Sequence, residues 1–178
     1  MPAKTVSKKG SPKATERQWA AMAVKHGALA AKVVSPSNVH TGQWVRWKCR
    51  YGCGGYGSSL VCPPNTPTPD QTRAMLDEYD QAVLFESPPG KAKQIAVALE
   101  RQLFLDGHYK AFGLGCGPCG LCDECVYDEG CRHPRQARPS MEAVGIDVYA
   151  TARKAGFTIN VVRTRKDPQH YFGLVLVD

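Results

Sequence analysis

The chain has 178 residues, 43% of them hydrophobic, so it can bury a core without metals or disulfides to help it fold. Its formal net charge is +7, and no run approaches the roughly 18 apolar residues that a membrane span needs. No apolar signal segment follows the first methionine. The composition therefore predicts a cytoplasmic protein with no membrane contact.

The excess of positive charge lies mostly at the amino terminus. Residues 1–17 hold five basic residues and one acidic residue, which leaves +3 for the rest of the chain. Thiolates bound to a metal would lower that remainder further, so nucleic acid is not an expected partner. Residues 1–14 are rich in Lys, Ser, Pro and Ala without periodicity, and we predict a disordered basic tail there. Residues 15–178 form the predicted domain.

Apolar spacing and capping residues predict the elements of this domain in chain order. Helices are expected at 15–26 and 68–79, which begin with capping boxes at Thr15 and Thr68, and at 87–107 and 147–155, the last capped by Asp147. A short helical turn is expected near 139–140. Strands are expected at 28–34, 44–48, 82–85, 109–114, 158–162 and 174–177. The loose alternation of helices and strands predicts an α/β or α+β fold. In this single small domain, helices flank a central sheet and two loops rich in Gly and Cys carry metal centres.

The eight cysteines fall into two glycine-rich groups. The first is Cys49, Cys53 and Cys62; the second is Cys116, Cys119, Cys122, Cys125 and Cys131. Four members of the second group recur at every third position, and glycines around them let the backbone curl so that several sulfurs point inward. Thiolates this close repel one another unless a positive centre lies between them. A metal ion or an iron–sulfur cluster fits that requirement better than a disulfide framework, since nothing in the sequence indicates an oxidising compartment.

Eight thiols make two sets of four, which favours two [4Fe-4S] clusters. We expect Cys119, Cys122, Cys125 and Cys131 to form one site, because closing so short a loop costs little. The other site is then Cys49, Cys53 and Cys62, with Cys116 crossing over as the fourth ligand. The second group resembles the ferredoxin spacing but differs in its third gap. Zinc held by two pairs of cysteines is the alternative, and a cysteine nucleophile assisted by His133 is a third interpretation.

Several motifs together make the sequence similar to a known family. They are Cys49 and Cys53 with Tyr56-Gly57, Cys62-Pro63-Pro64, Gly117-Pro118-Cys119 through Cys125, Cys131-Arg132-His133-Pro134, and Arg138 to Glu142 with Gly145 to Val148. On these residues the sequence resembles the "predicted metal-binding protein" family (domain of unknown function 2284), over about residues 15–178. The resemblance implies metal or iron–sulfur binding in an anaerobic, cytosolic setting, and no particular reaction. Cys116 lies outside the shared motif.

Three functions remain open at this point. The first is a small redox protein whose two clusters exchange electrons with a larger anaerobic enzyme, so a redox partner protein is expected. The second is an enzyme whose cluster has an open iron that binds a small, sulfur-containing substrate. The third is a zinc-stabilised binding module. Arg138 and Glu142 are expected to pair and hold the loop after Cys131, with substrate binding as the alternative. The sequence does not give the oligomeric state.

Overall fold

A four-stranded antiparallel sheet organises the domain. The computed structural model describes residues 16–178, and its strands are β1 (Ala30–Val34), β2 (Gln81–Ser87), β3 (Phe112–Leu114) and β4 (Tyr171–Val177), in the spatial order β1-β2-β4-β3. The helices are α1 (Glu16–Lys25), α2 (Gln43–Gly52), α3 (Pro69–Leu76), α4 (Ala92–Leu105) and α5 (Val148–Lys154). Short 3-10 turns occupy Pro36–Asn38 and Glu142–Val144. This confirms the predicted single domain with a central sheet.

Alternating side chains of the two central strands bury both faces of the sheet. Val83 and Phe85 of β2 pack with α1 and α4 on one face, while Ala82 and Leu84 pack with residues of α3 and α5 on the other. Because strand side chains alternate between faces, a strand buried on both sides reads as the continuous apolar run seen at 82–85. No helix among residues 16–178 has the length and apolar character to cross a membrane.

Most of the predicted elements are confirmed. Thr68 and Gln71 form the expected capping box at the start of α3, and the Asp147 carboxylate accepts from the amide of Ala150 at 2.9 Å at the start of α5. Helix α3 ends at Leu76, three residues earlier than predicted, and a turn follows it. The capping box predicted at Thr15 and the disordered tail predicted for residues 1–14 both involve residues outside the described range.

The predicted strand at 44–48 is wrong, because these residues form the middle of helix α2. Val45 and Cys49 are one helical turn apart, and Val45 is buried. Arg46 anchors the helix by donating to Thr66 Oγ1 at 2.6 Å and to the Ala143 carbonyl at 2.8 Å. Tryptophan and valine favour strands in general, and only these tertiary contacts decide for a helix here.

The predicted strand at 158–162 is also wrong, since this segment has no regular structure. Its run of β-branched residues suggested a strand, but of these only Ile159 is buried. Arg153 of α5 donates to the Ile159 carbonyl at 3.3 and 3.2 Å, so a side chain takes the acceptor that a strand partner would use. On the side of β4 away from β2, the pairing strand is β3, which runs antiparallel to β4 along residues 112–114.

Gly145 provides a test of how the fold brings α3 against the turn that precedes α5. It ends the Glu142–Val144 turn with φ +84°, and a Cβ added there would overlap the Pro69 ring. We expect Gly145→Ala to lower the free energy of unfolding by about 1–2 kcal/mol for the left-handed backbone. Overpacking against Pro69 adds about 1–3 kcal/mol.

The matched control is Gly90→Ala, which has a similar φ of +72° but open space around the added Cβ. It should show the backbone cost alone, about 1–2 kcal/mol in urea unfolding. Equal losses for the two variants would contradict the predicted overlap with Pro69.

Candidate metal centre

The first cysteine group is presented by α2 and the loop that follows it. Cys49 lies in the last turn of the helix, and Cys53 caps it by donating its amide to the Cys49 carbonyl at 3.3 Å. Cys53 is exposed, Cys49 is half-buried and Cys62 is buried. Cys62 lies in a turn that ends at the cis Pro63–Pro64 peptide, where the Pro63 carbonyl accepts from Gly57 at 2.7 Å. The helix and the turn thus bring residues 49, 53 and 62 to one end of the domain.

Cys116 follows β3 after a single residue, Gly115, in keeping with the strand predicted at 109–114. Gly115 fixes the strand end: its amide donates to the Pro139 carbonyl at 2.9 Å and its carbonyl accepts from Met141 at 3.0 Å. Burial, and after it the nearby Glu142 carboxylate, raise the pKa of Cys116 to about 11, although the charge of Lys93 acts to lower it. Without a bound cation this thiol is therefore neutral. A metal would supply the positive charge that it needs as a thiolate.

The other members of the second group surround one cavity. Cys119, Cys122, Cys125 and Cys131 all line a cavity of about 460 Å³, together with His133. The loop that carries them has no helix or strand in its described residues. Gly117, just before the quartet, and Gly130, just before its last member, adopt φ of +75° and +79°, the left-handed turns that glycine permits. The structure thus places these four side chains around one space.

Backbone amides point at sulfurs of both cysteine groups. Gly55 donates to Cys53 Sγ, Leu60 to Cys125 Sγ and His133 to Cys131 Sγ, each at 3.4 Å. Amide hydrogen bonds to sulfur stabilise the thiolate form and tune the potential of bound iron–sulfur clusters. The donor set therefore fits thiolate ligation of a soft metal or a cluster.

The two cysteine groups lie against each other. The Leu60 amide, from the first loop, donates to the sulfur of Cys125 in the second, and the Tyr127 hydroxyl donates to the Gly57 carbonyl. Cys116 shares a cleft of about 1040 Å³ with Cys49 and Cys53. Cys62 is not among the residues that line this cleft. The pKa of Cys49 is raised mainly by burial and by Cys53, and Cys62 raises it by a smaller amount.

Shared cavities do not amount to a formed coordination shell. Among residues 16–178, no three His, Cys, Asp or Glu side chains are gathered closely enough to hold a metal ion. All eight cysteines are free thiols. The assignment of individual cysteines to two sites of four therefore stays a prediction.

The predicted pair of Arg138 with Glu142 is wrong, because Arg138 pairs with Glu100 of α4. The guanidinium makes a two-pronged contact with this carboxylate, at 2.8 Å from Nε and 2.5 Å from Nη2, and both side chains are largely buried. Glu100 also accepts from the Gly113 amide at 2.7 Å. Arg138 thus fixes the end of the cysteine loop to α4 and β3, which is the structural role that the sequence indicated, with a different partner.

Glu142 instead lines the cleft beside Cys49 and Cys116. Glu142 is a partly buried residue, and burial raises the pKa of its carboxyl, while hydrogen bonds from its own backbone and from Ser140 and the charge of Lys93 lower that pKa. The sequence indicated Glu142 only as a partner of Arg138, with substrate binding as the alternative, and not as a residue that lines this cleft. Its position depends on the Glu142–Val144 turn packing under α2.

Lys93 is a residue that sequence reasoning missed altogether. It lies in the first turn of α4, and its Nζ donates to the Gly117 carbonyl at 2.6 Å and also to the Pro118 carbonyl. Burial lowers the pKa of Lys93, and the thiols of Cys119, Cys62 and Cys116 act in the opposite direction. This single cation thus ties the start of the quartet loop to a rigid helix next to three cysteines.

We expect Lys93→Met to loosen the start of the cysteine loop, because it removes hydrogen bonds from a charged donor worth about 1.5–3 kcal/mol each. In metal-free protein, the reaction of Cys116 and Cys119 with a thiol reagent should become faster. Lys91→Met, two residues earlier and exposed, is the control and should react like the unmodified chain. Unchanged thiol reactivity in Lys93→Met would show that Lys93 does not hold the loop.

Comparison with known proteins identifies the family. No curated protein matches the chain. No solved structure matches it either. A family model described as "Predicted metal-binding protein (DUF2284)" matches residues 32–177, which include all eight cysteines and four-fifths of the chain. The chain therefore belongs to the DUF2284 family of predicted metal-binding proteins, as its motifs indicated.

Proposed function

We propose that this chain is a cytoplasmic iron–sulfur protein that holds two [4Fe-4S] clusters and exchanges electrons with a larger anaerobic redox enzyme. The observation that carries the proposal is the quartet Cys119, Cys122, Cys125 and Cys131, which line one cavity. Two of these sulfurs accept backbone hydrogen bonds. A bound cluster supplies one-electron chemistry, and the chain provides thiolates, hydrogen bonds to sulfur and partial shielding from water.

The second proposed cluster is held by Cys49, Cys53 and Cys62, with Cys116 as fourth ligand. Its support is that Cys116 lines the same cleft as Cys49 and Cys53, and that the charge of Cys62 acts on Cys49. The contact of Leu60 with Cys125 joins the two loops, so the two centres would be neighbours. Neighbouring clusters that can exchange electrons favour electron transfer.

Metal and sulfide analysis of protein purified without oxygen tests the proposal against zinc, which binds the same thiols. We expect brown protein with iron and acid-labile sulfide in equal amounts, and broad absorption that bleaches on reduction. Zinc alone, without sulfide, in protein made with ample iron would contradict the iron–sulfur proposal and favour the zinc-stabilised binding module.

Cys116→Ser tests the crossing of the fourth ligand. We expect this variant to loosen one iron of one cluster and to leave the other cluster intact, as followed by iron content and electron paramagnetic resonance. Unchanged iron content, spectra and potentials would reject Cys116 as a ligand. Cys131→Ser is the matched control, because it should damage the other cluster instead.

The cleft beside Cys49, Cys53 and Cys116 supports a second candidate, an enzyme with an open iron. Its volume of about 1040 Å³ is at the upper end for small-molecule sites, and Glu142 lies in its lining. Under this alternative a small, sulfur-containing substrate binds the iron that lacks a protein ligand. An iron atom that exchanges readily in the unmodified protein would favour this enzyme over the electron carrier.

A further inference from the structure

Helix α2 carries an apolar stripe that faces solvent instead of the core. Trp44, Trp47 and Tyr51 follow helical spacing, and they are 51%, 68% and 75% exposed. A stripe with this spacing normally packs on the protein interior. On α2 the interior side is occupied by Val45, which is buried, and by Arg46 with its hydrogen bonds to Thr66 and Ala143. The aromatic stripe is thus left without a partner within the described chain.

The same face is strongly basic. Exposed Lys48 and Arg50 accompany the aromatic side chains, and α2 contains no Asp or Glu. The Lys48 Nζ lies 5.7 Å from the Trp44 ring centre, and the Arg50 guanidinium 5.5 Å from that of Tyr51. Such cation–π contacts hold the charges over the rings, so the face presents aromatic area and positive charge together.

The segment 159–170 extends this face. Its two ends, Ile159 and His170, line the same cleft as the aromatic residues of α2. Between them the chain exposes apolar and basic side chains, namely Val161, Val162, Arg163, Arg165 and Lys166. The one carboxylate of the segment, Asp167, accepts from the amides of Arg163 and Thr164 at 2.7 and 3.0 Å, so it is engaged within its own turn.

We propose that α2 and segment 159–170 form a docking face for an acidic electron-carrier protein. Aromatic residues and Arg are the side chains that dominate protein–protein contacts, while opposite charge guides the encounter. Charge complementarity selects an acidic partner, since the two segments expose five cations against the single carboxylate of Asp167. The face also surrounds Cys49 and exposed Cys53, where a partner would come closest to the first cluster. The inference rests on the proposed electron-transfer function and adds a second redox partner, the carrier that exchanges electrons with this chain on the side opposite to the larger enzyme.

The test uses the full chain purified without oxygen and a reduced, strongly acidic [4Fe-4S] ferredoxin as the probe. Stopped-flow absorption gives the second-order rate constant of electron transfer at several salt concentrations, and calorimetry gives the affinity for the oxidised probe. We expect the rate constant to fall with salt, and Lys48→Glu with Arg50→Glu to lower it at least tenfold at low salt. Trp47→Ser with Tyr51→Ser should weaken binding by roughly tenfold or more. If the double variant fails to fold, Tyr51→Ser alone is used in its place, because Tyr51 is 75% exposed.

Matched controls lie on the other side of the sheet. Arg17→Glu with Lys25→Glu reverses two exposed charges on α1, and Phe104→Ser with Tyr109→Ser removes two exposed aromatic rings; neither should change rate or affinity. Equal effects in these controls, no ferredoxin binding, or tighter binding of basic cytochrome c or of single-stranded RNA would overturn the docking face. Reduction of the clusters by dithionite is measured separately. Clusters that reduce without ferredoxin binding would overturn the docking face alone, whereas an absence of clusters would overturn the proposed function.

Discussion

Electrostatic repulsion between crowded thiolates is the constraint on which this site depends. The eight cysteines lie in two segments of the chain that touch each other. When no cation is bound, burial keeps the pKa values of Cys49 and Cys116 above the ordinary range. A metal or a cluster removes this penalty by placing positive charge between the sulfurs, so binding energy becomes available to order the loops. The quartet loop, which has no helix or strand of its own, is where we expect that ordering to matter most.

The scaffold limits how far these loops can move. Three connections hold the second loop: the end of β3 at Gly115, the hydrogen bonds from Lys93 of α4, and the contact of Arg138 with Glu100. Arg46 holds α2 against the turn that positions Glu142. A cofactor site supported by packed helices and strands keeps its ligands close to their binding geometry, and it therefore reorganises less when an electron arrives.

Much of this could be predicted from the sequence, since the apolar run at 82–85, the capping box at Thr68 and the strand before Cys116 depend on local rules. The helix at 43–52 could not, because its tryptophans and valine favour a strand and contacts from Arg46 to distant residues decide the outcome. The strand predicted at 158–162 was also wrong, because local preference again favoured a strand and contacts made by the folded chain left the segment without regular structure. Grouping of the cysteines was visible in their spacing, whereas Lys93, Glu100 and the position of Glu142 required the three-dimensional fold. The exposure of the aromatic stripe on α2 likewise could not be predicted, because it depends on which side of the helix packs against the protein interior.

X-ray absorption at the iron and zinc edges, on protein purified without oxygen, tests the central claim most directly. Two [4Fe-4S] clusters predict iron surrounded by sulfur, with a second shell of nearby iron atoms and with no stoichiometric zinc signal. A zinc edge with sulfur neighbours and no iron–iron scattering would contradict the account, and would leave the eight cysteines as ligands of a structural metal.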